Sequence, residues 1–489
     1  MDYIHGILTA QPVTKAVTVS ATKVYDSSLR QHLATLIKNA PKIRADVPTY
    51  AVDLLSTLDP AVHSIGYLIV LEILLERSDS GLMISQEYLL DRVVEFVLHF
   101  DPIQIRYYGQ SMSALLEKIA CGKLFPPTTA VQLLSTAILR IDPTGSLFTT
   151  THLLLAKLAY TSNTVESAME IFDCDILFYP NMSSSKDGKP LCDPSLAPVA
   201  YISTQSGLTD TVRPATVLEY DHLRGLAYMS LGLWSKAREA FEKVISHPSK
   251  DKSVSKIMVE SHKRWILVGL LSQGKTPTVP PFTSGSANTC YKVTGRSYIN
   301  LADAFSNSNS EKLKSLIEDN ASLWEEDGTG SLVAEILSSY QKWQIISLRQ
   351  VYQRVGISQV REMTLSAQTG KPLENDGEAL SLIRQMIESG MLDGHIEQDG
   401  SESYLSFQDD DDVVSEAQFA RQIAQSHHTI ELLGKHYQAM NDRLTGSKEY
   451  VKHLVREQKR AEKDVTDAGI GFDSQIEDED LMAGILPHT

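Results

Sequence analysis

The sequence predicts a mainly α-helical protein, with a helical-repeat superhelix of the tetratricopeptide type, a winged helix and a long C-terminal helix. Apolar residues recur at intervals of three and four over most of the chain, which indicates amphipathic helices. An alternating apolar run near residue 404 indicates a short hairpin. Because 489 residues exceed one ordinary core, we expect two or three domains or a repeat array.

Helical patterning dominates residues 27–270. Stretches of helix length, such as 29–40, 61–78 and 87–100, carry apolar residues at helical spacing. Asp-Pro and Pro-Pro pairs separate such stretches and indicate short connectors. Successive helices joined in this way predict a helical array.

Residues 220–249 give the most specific sign of a repeat. Gly225, Tyr228, Ala237 and Phe241 follow the small–aromatic–small–aromatic spacing of a tetratricopeptide helix pair, in which small residues let the helices approach and aromatic side chains fill the groove. An aspartate stands at the pattern's tryptophan position, and the closing proline comes one place early. Since no other segment matches well, the predicted array is degenerate, and an ordinary helical pair is the alternative.

Residues 269–276 read GLLSQGKT and fit the G-x-x-x-x-G-K-[ST] pattern of a phosphate-binding loop. That loop requires a strand before its first glycine and a helix that begins at Gly-Lys-Thr, where N–H groups bind phosphate. Here a helical apolar stripe precedes the pattern, and Pro-Thr-Val-Pro-Pro follows it and prevents a helix. The string therefore predicts the end of a long helix, capped by Gly274, and not a nucleotide site.

No other pattern predicts catalysis, a metal site or a cofactor site. The chain lacks H-E-x-x-H, His-x-His, G-x-S-x-G and G-x-G-x-x-G. None of its four cysteines forms C-x-x-C, which predicts reduced thiols in the cytosol or nucleus. The adjacent His427 and His428 are expected as solvated residues on different sides of a helix. We therefore expect a protein that is not an enzyme and that holds no cofactor.

A winged helix is predicted after residue 345. The pattern indicates short helices at 346–356, 358–365 and 376–390, of which the first ends at Gly356 and the third has an aspartate and a glycine at its ends. A hairpin follows, with strands at 395–398 and 403–408 around the turn DGSE. Three short helices and a two-stranded wing make up this fold.

A winged helix can bind DNA, or its outer strand can pair with a strand of another chain. Between residues 371 and 412 two basic residues stand against twelve acidic ones, and the whole chain carries a net charge of −16. This balance repels phosphate, so we expect no nucleic acid and no membrane as partners. Lys342, Arg349, Arg354 and Arg361 precede the acidic part and leave nucleic acid as a weaker alternative. Strand pairing is the favoured interpretation.

The C-terminal helix carries a regular apolar seam. Four aspartates at 409–412 suit the positive N-terminal end of a helix. Apolar residues then occupy heptad a and d positions, with serines at two others, and this pattern indicates packing against another helix, in a partner or, alternatively, in its own domain. The seam consists of Phe419, Ile423, Ile430, Leu433, Tyr437, Met440, Leu444, Val451 and Leu454.

The order of repeats, winged helix and terminal helix resembles the PCI-domain scaffold subunits of the proteasome lid, the COP9 signalosome and a translation initiation complex. Within that group, residues 255–275 are similar to a helix typical of the signalosome's third-subunit family. The resemblance is good over 215–412, and earlier it rests on order and helicity. The matching positions are Met258, Glu260, Lys263, Arg264, Trp265, Ile266, Leu267, Val268, Gly274 and Lys275.

This resemblance implies a non-catalytic scaffold subunit of the complex that removes a ubiquitin-like modifier from the cullins of cullin-RING ubiquitin ligases. It implies as partners other PCI-domain subunits, through winged-helix edges, and other subunits' C-terminal helices, in a bundle. The contact residues expected from it are Tyr404, Leu405 and Phe407 on the wing strand, together with the heptad seam. A scaffold subunit of the proteasome lid or of an initiation complex is the alternative.

Stretches rich in Pro, Ser and Gly at 181–198 and 276–289 are expected to be loops, and the second suggests a boundary. With no signal sequence and no long apolar run, we expect a soluble protein of the cytoplasm and nucleus. The predicted domains are a helical-repeat domain at 1–275, a loop and helical linker bundle at 276–340, the winged helix of a PCI domain at 341–412, a bundle helix at 413–463 and a disordered acidic tail at 464–489.

Overall fold

The computed structural model of the chain describes residues 2–9, 19–77, 85–180, 190–194, 196–248, 254–399, 402–407, 416–445 and 450–457. The chain divides into two compact units, residues 1–412 and 413–489, which are described separately. Several expectations concern residues outside the described ranges: most of the loop at 181–198, the centre of the DGSE turn, the acidic run at 409–412 and the tail at 464–489.

The first unit is mainly α-helical, as the periodicity predicts. Its first helices are α1 (Asp2–Leu8), α2 (Val19–Asp46), α3 (Ala51–Thr57), α4 (Ser64–Glu76), α5 (Gln86–His99), α6 (Pro102–Ile105), α7 (Gly109–Ala120), α8 (Pro127–Ile141), α9 (Thr150–Thr161), α10 (Met169–Phe172), α11 (Pro198–Tyr201), α12 (Pro214–Ser230), α13 (Trp234–Ile245) and α14 (Lys256–Gln273). The later ones are α15 (Gly285–Thr294), α16 (Arg296–Ser306), α17 (Ser310–Asp319), α18 (Ala321–Glu326), α19 (Gly330–Ser347), α20 (Ile357–Met363) and α21 (Asp376–Glu388).

Proline and short polar residues define many helix starts. The Asp101 carboxylate accepts a hydrogen bond from the backbone N–H of Ile103, and Pro102 opens α6. Pro127 and Pro214 likewise open α8 and α12. The Pro-rich stretch after α14 is shorter than expected, because Ser284 caps α15 by accepting from the N–H of Ala287. The sequence therefore places most breaks correctly, while the ends shift by a few residues.

Two hydrophobic cores organise the first unit. The larger one includes buried residues from Ile4 to Tyr340, and the smaller one lies within the winged helix, between Ile345 and Phe407. Helix α19 contributes Ile336 to the larger core and Ile345 to the smaller. One continuous helix thus joins the repeats to the winged helix, because opposite ends of it are buried in different cores.

The winged helix differs from the sequence prediction at its beginning. Residues 346–356 do not form a separate helix: α19 continues to Ser347, a 3-10 turn follows at Leu348–Gln350, and Arg354–Gly356 is a strand, β1. Strand β2 (Gly394–Asp399) and strand β3 (Glu402–Phe407) form the predicted hairpin. The sheet has the order β1-β3-β2, so it is three-stranded instead of two-stranded. The helical expectation for 346–356 was wrong because pairing with β3 fixes β1 as extended.

The second unit contains one long helix, α22 (Glu416–Thr445), and a further helical stretch over residues 450–457. Glu416 lies in the first turn of α22, where a carboxylate favours the positive end of the helix dipole. The side chains of Met440 and Leu444, two members of the predicted seam, lie outside what the structure describes.

Candidate interaction surfaces and their supports

The predicted repeat signature lies at the contact between α12 and α13. A Cβ on Gly225 would lie 2.6 Å from the Phe241 ring, so the ring can pack there only because residue 225 is glycine. Ala237 is also fully buried. The Tyr228 hydroxyl donates to the carbonyl of Phe172 at 2.7 Å and so connects the pair to α10. All four residues are therefore buried in or beside the contact between α12 and α13.

A buried charged pair replaces the tryptophan of the repeat pattern. Asp221 lies beside Arg224, with 3.9 Å between carboxylate and guanidinium. Burial raises the pKa of Asp221, and the neighbouring Arg224 partly offsets that effect. The Arg224 Nε–H also donates to the Tyr228 hydroxyl at 3.3 Å. The departure from the pattern is therefore accommodated inside the helix pair by a basic partner one turn away.

The GLLSQGKT string ends α14, and both of its glycines have packing roles. Gly274 has φ 68° and reverses the chain after the helix, a conformation that favours glycine. The Trp343 side chain from α19 also covers the position that a Cβ there would occupy. After the turn, Pro277 packs back onto Gly269, again where a Cβ would lie. The next helix begins only at Gly285, so the arrangement has neither the strand nor the helix of a phosphate-binding loop.

The Lys263–Arg264 pair fixes α14 to the connection between α18 and α19. The Lys263 ammonium and the Tyr298 hydroxyl both donate to the Asp327 carboxylate, at 2.6 and 2.7 Å. Arg264 donates to the backbone carbonyl of Asp327 at 3.0 Å. Burial would raise the pKa of Asp327, but these donors outweigh it and hold that pKa below its usual value. Sequence reasoning missed Asp327; the available signal was a pair of cations directly before a run of buried apolar residues in the helix.

Buried histidines serve as packing groups in this region. His262 stacks on Tyr291 with ring centroids 4.3 Å apart, and burial lowers its pKa to about 4. His152 caps α9 through its Nδ1, which contacts the Thr149 N–H at 3.1 Å, and burial lowers its pKa to about 4 as well. Both rings are neutral at pH 7. Within the described ranges, no group of three or more His, Cys, Asp or Glu is placed to hold a metal ion.

Strand β2 lies at one edge of the sheet, whereas β3, the strand predicted as outermost, lies inside it. β3 lies between β1 and β2, and two of its three expected contact residues, Leu405 and Phe407, are buried in the winged-helix core. The expectation that these side chains face a partner was wrong, because the third strand, β1, was not foreseen. Tyr404 remains partly accessible on the opposite face of β3.

Hydrogen bonding shows which groups of β2 point outward. The Phe407 N–H donates to the Gln353 carbonyl at 2.9 Å, so alternate residues of β3 starting from Phe407 bond towards β1. The β2–β3 register then directs the backbone groups of Glu397 towards β3 and those of Ile396 and Gln398 towards the outer edge. Over the described strands, nothing further pairs with this edge.

The outer face of the sheet carries a compact group of charged side chains in contact with one another. The Arg354 guanidinium lies over the Tyr404 ring, 4.3 Å from its centroid, and contacts the Glu397 carboxylate at 3.2 Å. His395 contacts the same carboxylate at 2.9 Å. Arg361 on α20 pairs with Asp376 at 3.2 Å. Two of the basic residues that left nucleic acid as an alternative are thus neutralised by carboxylates, which weakens that alternative.

The α22 seam is exposed. Phe419, Ile423, Ile430, Leu433 and Tyr437 are between 54 and 73% exposed, and Val451 and Leu454 on the following helical stretch are 46 and 41% exposed. Monomeric proteins rarely expose so regular an apolar row, and such rows mark interaction sites. His427 and His428 are exposed too, in agreement with their interpretation as solvated residues.

Comparison with known proteins agrees with the resemblance carried by residues 255–275. A family model described as the N-terminal helical repeats of COP9 signalosome complex subunit 3 matches residues 26–286. The chain is 36% identical to COP9 signalosome complex subunit 3 of Neurospora crassa over the full length of both chains. It is 30% identical to the protein of the same name from Emericella nidulans over 71% of each chain. The chain therefore belongs to the COP9 signalosome complex subunit 3 family.

Proposed function

We propose that the chain is a non-catalytic scaffold subunit of the COP9 signalosome and binds other subunits through α22 and through the β2 edge. The observation that carries the contact is the row of exposed apolar side chains on α22. The full-length similarity to signalosome subunits favours this assembly over the proteasome lid or an initiation complex. Through it, the chain supports removal of a ubiquitin-like modifier from cullins, in the cytoplasm and nucleus.

The seam fits a helical bundle because its residues alternate by four and three. This spacing keeps one stripe facing a partner along many turns. Burying a Leu or Ile side chain that is now exposed contributes about 1.5–3 kcal/mol. Several such residues suffice for a stable helix contact, even after the entropy cost of association.

A charge substitution with a matched control tests the α22 contact. Ile430→Asp with Leu433→Asp places two carboxylates in the seam, and Gln425→Asp with His428→Asp places two on exposed positions outside the seam. Each variant replaces the wild-type chain in cells, and the chain is purified with whatever subunits accompany it. We expect the seam variant to lose the other subunits and the control to retain them.

Retention of the other subunits by the seam variant, at wild-type stoichiometry, would contradict the bundle role. Circular dichroism of both purified variants checks that α22 remains helical. If the control also lost the subunits, added charge on α22 would explain the loss, and the seam itself would have no special role.

The β2 edge offers a second contact that needs backbone groups only. Its outward N–H groups and carbonyls can extend the sheet by one strand from a partner. Gln398→Pro removes an outward N–H while the groups that bond to β3 remain. Gln398→Thr keeps that N–H and serves as the control. We expect the proline variant alone to lose one neighbouring subunit, and equal recovery with both variants would contradict the edge role.

The assignment as non-catalytic rests on the roles that the candidate residues already have. The glycines of GLLSQGKT accommodate Pro277 and Trp343, and buried histidines such as His262 stack in the core. Titration with a fluorescent ATP analogue tests it. Micromolar binding that is abolished by Lys275→Ala would restore the nucleotide-binding interpretation.

A further inference from the structure

Helix α2 buries one stripe of side chains, and a titratable group interrupts that stripe. The stripe contains Tyr25, Leu29, Leu36 and Ile43, and His32 occupies the middle of it with 4% of its surface exposed. Neither ring nitrogen of His32 has a hydrogen-bond partner among the described residues. A buried imidazole without partners is stable only when neutral, because a charge there would lose its hydration without compensation.

A second histidine interacts with His32, and a third interacts with that second one. His63, directly before α4, interacts with His32, and its Nδ1 is also buried without a partner. His5 on α1 interacts with His63 in turn. We call His32 and His63 the histidine cluster; it connects α2 to the start of α4. Protonating one member disfavours protonating the next, because like charges repel.

The other charged groups near the cluster do little to offset this effect. Asp59, which precedes α4, favours the charged form of His63, but it is exposed and its carboxylate already accepts from the N–H of Ala61 at 2.8 Å. One turn away from His32 on α2, the residues are uncharged. Those residues are Ser28, Leu29, Thr35 and Leu36. Burial therefore lowers the pKa of both His32 and His63.

The direction of the pH effect follows from these groups. A histidine with its ordinary pKa of 6.5 gains a proton as the pH falls through that value, whereas the packed His32 does not. Acid consequently favours any state in which α2 has detached and the His32 ring is exposed to water. Each histidine that gains a proton on release makes release about tenfold more favourable per pH unit.

We propose that the histidine cluster is an acid-sensitive latch that holds the N-terminal arm, α1 and α2, on α4 at neutral pH and releases it below about pH 6. Helix α1 packs closely on α4 in this region, since a Cβ on Gly66 of α4 would lie 2.7 Å from the Leu8 carbonyl oxygen of α1. Near its N-terminal end, α2 is held by the Tyr107 hydroxyl, which donates to the Asp26 carboxylate at 2.5 Å. Release uncovers apolar residues of α4 that face α2, such as Ile69 and Ile73.

Hydrogen exchange of the full chain at pH 7.5, 6.5 and 5.5, corrected for intrinsic exchange, tests the latch. We expect protection of α2 peptides to fall by about tenfold or more between pH 6.5 and 5.5, while peptides of α13 keep their protection. His32→Leu fills the stripe with an apolar side chain and should keep α2 protected at pH 5.5. His427→Gln, at an exposed position on α22, is the matched control and should behave as the wild type.

Two results would overturn the latch: unchanged α2 protection from pH 7.5 to 5.5 in the wild type, or a loss in His32→Leu as large as in the wild type. If His32→Leu does not fold, His63→Gln provides the second variant. In this variant the protection of α2 peptides should depend less steeply on pH, by up to about tenfold per pH unit. A slope equal to that of the wild type would also count against the latch.

Discussion

Helices α14 and α22 carry similar apolar patterns and have opposite surroundings. In α14, Met258, Trp265, Val268 and other apolar residues are buried against α12, α13, α15, α16 and α19. In α22, the apolar row from Phe419 to Tyr437 is more than half exposed. Periodicity alone therefore indicates that a helix needs a partner surface, and it does not say whether that surface belongs to the same chain.

Charge placement distinguishes the two helices. The cations in the middle of α14, Lys263 and Arg264, have a partner in Asp327 within the chain. On α22 the polar side chains that the structure describes surround the seam and are exposed. Helix α14 therefore satisfies its interior charges within the chain, whereas α22 leaves an apolar stripe exposed. Substitutions in α14 and at its C-cap Gly274, and one substitution in α22, test this contrast.

The largest effect is expected from Trp265→Ala. The Trp265 side chain is 1% exposed and is among the largest buried groups in the chain. Removing it leaves a cavity at the centre of the contacts that α14 makes, so we expect the free energy of unfolding to fall by about 3–5 kcal/mol. Urea denaturation followed by circular dichroism measures the change. A loss below about 1 kcal/mol would mean that α14 is not an organising helix.

A smaller loss is expected from Gly274→Ala. The new residue must adopt φ near 68°, and its Cβ meets the Trp343 ring. Left-handed strain together with displacement of the indole should cost about 2–3 kcal/mol. Trp343→Ala in the same background relieves the steric part, so a double-mutant cycle by urea denaturation should show favourable coupling. Strictly additive effects would contradict the contact.

The third prediction concerns pH and the Lys263–Asp327 pair. Lys263→Met removes one donor from a carboxylate whose pKa lies below its usual value, and should cost about 1–2 kcal/mol at pH 7. A lowered carboxylate pKa stabilises the fold above the unfolded pKa of 3.8 and loses that effect as the pH falls further. The difference between wild type and variant should therefore shrink below about pH 4.

Denaturation at pH 7 and at pH 3 measures this difference. Arg264→Met is a useful comparison, because Arg264 bonds to the backbone carbonyl of Asp327 and not to its carboxylate. Its effect should depend less on pH. An equal pH dependence in both variants would mean that the Asp327 carboxylate does not act through Lys263.

Local patterns predicted much of the fold because its helices depend on nearby residues. The repeat pair was predictable from the spacing of Gly225 and Phe241, and the end of α14 from Gly274 and the prolines that follow. The signal in each case lies within about thirty residues. The match of a helical-repeat family model to residues 26–286 confirms the prediction of helical repeats there.

The remaining features depend on contacts between residues that are distant in sequence. Strand β1 has only three residues, and it is extended because it pairs with β3, about fifty positions later. That pairing also places β3 inside the sheet, with Leu405 buried, and leaves β2 at one of the two edges. Asp327 is equally remote from Lys263. No local pattern contains such pairings, so the strand order and the partner of the cations could not be predicted.

The smallest effect is expected from Ile430→Ala in α22. The side chain is 68% exposed, so its removal leaves no cavity, and alanine has a higher helix propensity than isoleucine. Unfolding of the isolated chain should change by less than about 0.5 kcal/mol. Recovery of the other signalosome subunits with the same variant should nevertheless fall, because the lost methyl groups belong to the partner's contact. A stability loss above about 2 kcal/mol in the isolated chain would instead show that the seam already packs within this chain, as α14 does.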